Sequence, residues 1–171
     1  MDQLKEYNIP FVGLKEGRHD FHFVIDNTFF DAFDYEEFKH SKINITLEFE
    51  KKSTLLNLKF IAKGSVNIPC DVTDEPFDYP IETTFDWVVK FGETYDDSNE
   101  ELLILPHSSY QIDVAQPIYE MVVLSLPAKR IHPGVEDGSL QSDILKKLEE
   151  LQPKVEQNNN DPRWNKLKDL L

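Results

Sequence analysis

Strict apolar–polar alternation in the middle of the chain, a capped amphipathic stretch after it and a proline-started apolar segment at the end predict an α+β domain. The expected architecture is a curved, barrel-like antiparallel sheet covered by a helix over 113–126, with a helical C-terminal appendage. The first observation is residues 43–49, where Ile43, Ile45, Leu47 and Phe49 alternate with Asn44, Thr46 and Glu48. The second is Asp113 followed by Gln116, a pairing of capping-box type, with Pro117 in the first turn and apolar residues at 118, 121, 122 and 126. The third is Asp161-Pro162, an N-cap and N1 pair opening a short helix that carries Trp164, Leu167 and Leu171.

Taken in order, Ile9 to Val12 makes a short strand. Gly13 and Gly17 then punctuate a turn before Arg18 to Ile25, where His19, Phe21, Phe23 and Ile25 share one face. Asn27 or Thr28 is placed to cap a helical turn holding Phe29, Phe30 and Phe33. A meander of strands follows over 43–50, 54–63, 64–69 and 81–91. In its second strand Leu56, Leu58, Phe60 and Ala62 form a wholly apolar face. Pro69 and the run Cys70 to Pro80, with three prolines and four acids between 69 and 80, read as a wide acidic hairpin tip. Gly92 to Glu101 is an acidic loop, and Leu102 to Leu105 a short apolar segment stopped by Pro106. After the 113–126 helix, Ser142 to Leu151 predicts a second helix, with Ile144, Leu145, Leu148 and Leu151 on one side. Residues 152–160 form a polar linker, so the chain divides into a domain over 1–138 and a helical tail over 139–171.

A hydrophobic content of 40% is enough to build a core, and no apolar run approaches the roughly 20 residues of a membrane helix. One cysteine rules out an internal disulfide and, with no signal-peptide layout, predicts a cytoplasmic protein. The net charge of −14 opposes general nucleic-acid binding, which needs clustered cations. Its distribution is uneven. Residues 39–63 hold six lysines against Glu48 and Glu50, and residues 64–128 hold thirteen acids against Lys90. Acids sharing a face would repel RNA and attract basic proteins.

No Walker loop, dinucleotide fingerprint, metalloprotease helix or nucleophile elbow is present, and His107-Ser108-Ser109 lacks an oxyanion loop. His19 and His22 point to opposite strand faces, and Cys70 has no histidine at ligand spacing, so neither a metal nor a cofactor is expected. Cys70 reads as a structural strand-end cysteine.

The pattern Gly64-x-Val66-x-x-Pro69-Cys70-Asp71, then Glu75-Pro76-Phe77 and Tyr79-Pro80-Ile81, resembles the YceD family. A second block supports it: Ile112-Asp113-Val114, Ile118-x-Glu120, Leu124-x-Leu126-Pro127 and His132-Pro133. What it resembles is a divergent member. The family's usual second cysteine, three residues after the first, and the leucine after it stand here as Thr73 and Asp74. The resemblance implies a bacterial, non-enzymatic factor in large ribosomal subunit assembly or ribosomal RNA accumulation, with no small-molecule substrate. The alternative is a stand-alone acidic protein-binding module without a ribosomal role. On the assembly reading, the partner is a basic ribosomal protein, large-subunit RNA or both. Candidate partner-binding residues are Asp71, Asp74, Glu75, Phe77 and Asp78 at the tip, with Lys129, Arg130 and His132 between Pro127 and Pro133. The two cations there also suit a helix C-terminus. Lys51, Lys52, Lys59 and Lys63 are candidates to face RNA, with Tyr35 and Phe38 near enough for stacking. Trp164, Leu167 and Leu171 are candidates for docking, on this domain or on a partner.

Overall fold

The computed structural model describes residues 4–151. The expected linker at 152–160 and the tail helix with Trp164, Leu167 and Leu171 lie outside the described residues. Among the described residues are eight strands: β1 (Asn8–Pro10), β2 (Gly17–Ile25), β3 (His40–Lys51), β4 (Leu55–Pro69), β5 (Pro76–Gly92), β6 (Asp96–Asn99), β7 (Leu102–Pro106) and β8 (Gln111–Asp113). Helix α1 (Asn27–Asp31) lies between β2 and β3, and α2 (Ala115–Leu124), α3 (Pro133–Glu136) and α4 (Asp143–Leu151) follow β8. Six strands form one sheet in the order β2-β3-β4-β5-β7-β6, and β1 pairs with β8 in a second, two-stranded sheet.

The large sheet buries one face. Ile43, Ile45, Leu47 and Phe49 of β3 lie beside Leu56, Leu58, Phe60 and Ala62 of β4, all buried. This is the period-2 arithmetic of a half-buried antiparallel sheet. The expected helix does lie on that face. Ala115, Pro117, Ile118, Met121 and Val122 of α2 are buried in the same core, and α2 packs on β5. Its start differs from the expectation. Asp113 belongs to β8 and accepts the Ala115 N–H at 2.8 Å, while Gln116 donates forward to Glu120 at 2.6 Å instead of closing a capping box. The cap of α1 also moves, because Asp26 accepts from the Thr28 N–H at 2.9 Å. Asn27 instead donates to the carbonyls of Phe38 and Lys39 and accepts from buried Ser41.

Three expectations about the sheet need correction. It is open and does not close into a barrel, since β2 and β6 are its two edges. It is not antiparallel throughout, because β7 runs parallel to β5 with Val88 to Gly92 opposite Leu102 to Pro106, while β6 pairs antiparallel with β7. Finally, the hairpin is longer and its tip narrower than expected. β4 runs unbroken from Leu55 to Pro69, and β5 begins at Pro76. Prolines 76 and 80 sit where β5 has a neighbour on one side only, so a missing N–H need not break a ladder bond. Gly64 does not divide the strand either. The carbonyl oxygen of Lys42 and, at 2.6 Å, the Cα of Ile43 occupy the space a Cβ would need, so glycine is what lets β3 and β4 approach so closely.

Aromatic rings fill the junction between α1 and α2. Phe30 packs edge-on against Phe38 at 4.7 Å and Phe29 at 5.3 Å, and Phe33 stacks on Tyr119 at 4.4 Å. The second predicted helix forms as α4, but Ile144, Leu148 and Leu151 are exposed on it.

Candidate functional site

With the ladder running to Pro69–Pro76, the hairpin tip is reduced to residues 70–75. The Cys70 N–H donates to Glu75 O at 3.0 Å and the Asp74 N–H to Cys70 O at 2.8 Å. Asp74 takes a left-handed φ of 59°, which an aspartate tolerates better than most side chains. The tip is held by the loop after α2. The Asp71 N–H donates to Arg130 O at 2.8 Å, and the Arg130 N–H returns a bond to Asp71 Oδ2 at 2.7 Å. The His132 ring meets Phe77 edge-on at 5.4 Å. Two of the predicted patches, the tip and the proline-bracketed loop, are therefore one structure. Asp74 and Lys129 stay at its exposed surface, as does Asp78, which accepts from Asn67 at 2.7 Å.

Sequence reasoning missed the third member of this site. Arg130 Nη1 lies 2.7 Å from Glu37 Oε2, and Tyr35 donates its hydroxyl to the same oxygen at 3.1 Å. The Arg130 hydrogen bond, aided by the Tyr35 hydroxyl, holds the Glu37 carboxyl below its ordinary value against the opposing effect of burial. Burial and the bond to Glu37 push the Tyr35 phenol up to about 12. A carboxyl with a lowered folded pKa stabilises the fold fully above its unfolded value of 4.5 and loses that effect as pH falls through the folded value. The pair is partly exposed, so its contribution is about 0.5–1 kcal/mol. Glu37→Gln is accordingly expected to lower the melting temperature slightly at pH 7 and not at pH 3. An equal difference at both pH values would sink this account.

Cys70 is buried, and the His132 N–H points at its sulfur at 3.3 Å. Burial pushes the thiol pKa up, but the Thr73 hydroxyl and the N–H groups of His132, Val72 and Thr73 outweigh it and bring the pKa below its usual value. The acids beside Cys70 are not among the groups that decide it. Thr73 is itself buried and directed at the Cys70 sulfur. Among the described residues, no group of three His, Cys, Asp or Glu is arranged to hold a metal ion.

The lysines are placed differently from one another. Lys51 turns its ammonium onto the carbonyls of Phe11 and Leu14, both at 2.8 Å, and so ties the β1–β2 loop to the sheet. Lys52 pairs with Glu50 at 3.1 Å and Lys63 with Glu82 at 2.9 Å. Lys59 stands on the open sheet face between Glu48 and Asp86 of the neighbouring strands. The open face therefore interleaves both signs of charge. Phe38 is buried, and Tyr35 is packed against Phe30 and Phe38.

A groove enclosing about 1050 Å³ opens between β5, the β6–β7 turn and α2. Phe85, Trp87, Leu103 and Met121 contribute apolar surface to it. Asp97, Glu100, Glu101, Asp113 and Glu120 also line it, and none of the lining residues is Lys, Arg or His. The nearest signal in the sequence was the acidic run 92–101 beside an aromatic strand. The residues that complete the groove come from α2, more than a dozen positions further on.

Fold and surfaces define an α+β protein built on a one-faced sheet, with a clasped hairpin tip and an acidic groove. The chain belongs to the YceD family: the family described as large ribosomal RNA subunit accumulation protein YceD matches residues 58–171, from within β4 to the last residue. Comparisons with curated proteins and with solved structures give no match. Among the described residues, no helix is long and apolar enough to cross a membrane.

Proposed function

We propose that this chain is a non-enzymatic factor in accumulation of large-subunit ribosomal RNA, and that it acts by binding a basic ribosomal protein. The family's description supplies the ribosomal part. The observation that carries the choice of partner is the disposition of charge. Lys52 and Lys63 are paired with acids, and Lys51 is spent on backbone carbonyls. The groove, by contrast, is lined by acids with no cation among them, and the tip exposes Asp74 and Asp78 beside Lys129. Binding RNA requires cations free to displace counterions from phosphates. A basic protein needs the reverse, and acidic surfaces also speed its encounter.

The test is sedimentation of the full chain with large-subunit precursors at low and moderate salt. The expected result is co-migration at low salt, release at moderate salt and cross-linking to a basic protein. Failure to co-migrate at any salt would favour an acidic protein-binding module with no ribosomal role. Salt-resistant binding to generic RNA would overturn the choice of partner.

A further inference from the structure

We infer that the groove between β5, the β6–β7 turn and α2 is the docking site for a basic amphipathic segment of a protein, a stretch carrying Lys or Arg on one side and large apolar side chains on the other. The inference rests on the ribosomal reading for the source of that segment, but the groove's chemistry stands apart from it.

The apolar part of the groove is half-open and aromatic. Phe85 and Trp87 project from the core face of β5, yet both are only partly buried, because the cover supplied by α2 does not extend over them. Leu124, the last residue of α2, borders the groove and is 81% exposed. Tyr95, just before β6, also lines it and is 57% exposed. Contiguous apolar surface framed by polar residues marks an interaction site.

The rim chooses the partner. Asp97, Glu100 and Glu101 come from β6 and the turn after it, and Asp113 and Glu120 from β8 and α2, with no cation among the lining residues. Nucleic acid would be repelled. An arginine or lysine instead lays its aliphatic stem on the apolar surface and brings its charge to the rim, and its cation can sit over the faces of Trp87 and Phe85. Apolar side chains of the same segment fill the space between Leu103 and Met121. Recognition thus uses burial and opposite charge together, which neither an oligocation nor a purely apolar peptide satisfies alone.

The test measures binding of a labelled synthetic peptide of Lys, Arg and Leu at helical spacing to the full chain, beside oligolysine and an RNA oligonucleotide. The amphipathic peptide is expected to bind most tightly. Neutralising the exposed rim with Asp97→Asn, Glu100→Gln, Glu101→Gln and Glu120→Gln is expected to weaken it about tenfold, several surface charges acting together. Leu124→Ser, which removes only exposed apolar surface, is expected to weaken it less but measurably. The inference is overturned if neutralising Asp74, Glu75 and Asp78 at the tip has the same effect as neutralising the rim, since net charge alone would then explain binding. It is also overturned if RNA binds as well as the peptide. So too if the peptide binds only after Trp164, Leu167 and Leu171 are changed to serine, which would make the chain's own C-terminal segment the occupant. Peptide binding without co-sedimentation would sink the ribosomal reading and keep the groove. Co-sedimentation unchanged by the rim substitutions, with no peptide binding, would do the opposite.

Discussion

Phe30→Ala is expected to cost about 3–5 kcal/mol, the range for removing a fully buried aromatic ring. Phe30 is 1% exposed and meets four other rings, those of Phe29, Phe38, Tyr35 and Tyr119. These rings come from α1, the segment before β3, and α2. The cavity left behind cannot be closed by one small shift, because its walls belong to separate elements. A drop in melting temperature of roughly 10 °C follows for a chain of this size. The change should also loosen the functional surface, since Tyr35 packs on Phe30 and braces Glu37 for Arg130. Phe33→Ala is the comparison. Phe33 stacks on Tyr119 but is only partly buried, so its loss should cost clearly less. Equal melting temperatures for the two variants would refute the central place given to Phe30.

Gly64→Ala is the second large effect, and here the harm comes from adding atoms. The new Cβ would run into the carbonyl oxygen of Lys42 and lie 2.6 Å from the Cα of Ile43. Both obstacles are backbone of a paired strand, which cannot rotate away as a side chain can. The cost is about 2–3 kcal/mol, at the upper end for overpacking. The denaturation midpoint should fall with little change in slope, because the folded and unfolded states expose the same surface as before. Gly13→Ala is the control, since nothing lies within 4 Å of its would-be Cβ. A Gly64→Ala protein as stable as Gly13→Ala would show that the strands can separate without cost.

The same glycine illustrates what a sequence conceals. Ile43 to Phe49 and Leu56 to Ala62 reveal their strands because each residue's burial depends only on its own place in a period of two. At Gly64 and at Pro69, Pro76 and Pro80 the local signal says "break", and it is overridden by position in the sheet. Gly64 sits where strands nearly touch, Pro76 and Pro80 where β5 lacks a second neighbour, and Pro69 where β4 has run past the end of β3. The parallel pairing of β5 with β7 leaves no periodic trace, because Leu102 to Leu105 alternates the same way in either direction. The candidate residues Asp71, Phe77, Arg130 and His132 could be read from the chain, but not their contact. Asp71 and Arg130 are 59 positions apart and meet mainly through backbone groups that no side-chain pattern encodes. Glu37 was invisible for the same reason, as one acid in an acidic chain. The groove was harder still, since it is assembled from pieces of β5, β6, β7, β8 and α2.

The small ribbon of β1 and β8 differs from every other ladder in how far apart its strands lie along the chain. Asn8 and Gln111, linked across it, are 103 positions apart, whereas six residues at the tip join β4 to β5. Closing a loop costs entropy that grows by ~0.6 kcal/mol with each doubling of its length. From six residues to 103 is about four doublings, so the ribbon carries roughly 2.5 kcal/mol more closure cost than that hairpin. Three residue pairs cannot meet such a cost unaided. They hold because the intervening meander has already brought the two ends together. The N-terminal strand is in that sense a clasp on the finished sheet: it stays shut while the strands between its ends are in place, and opens when they are not.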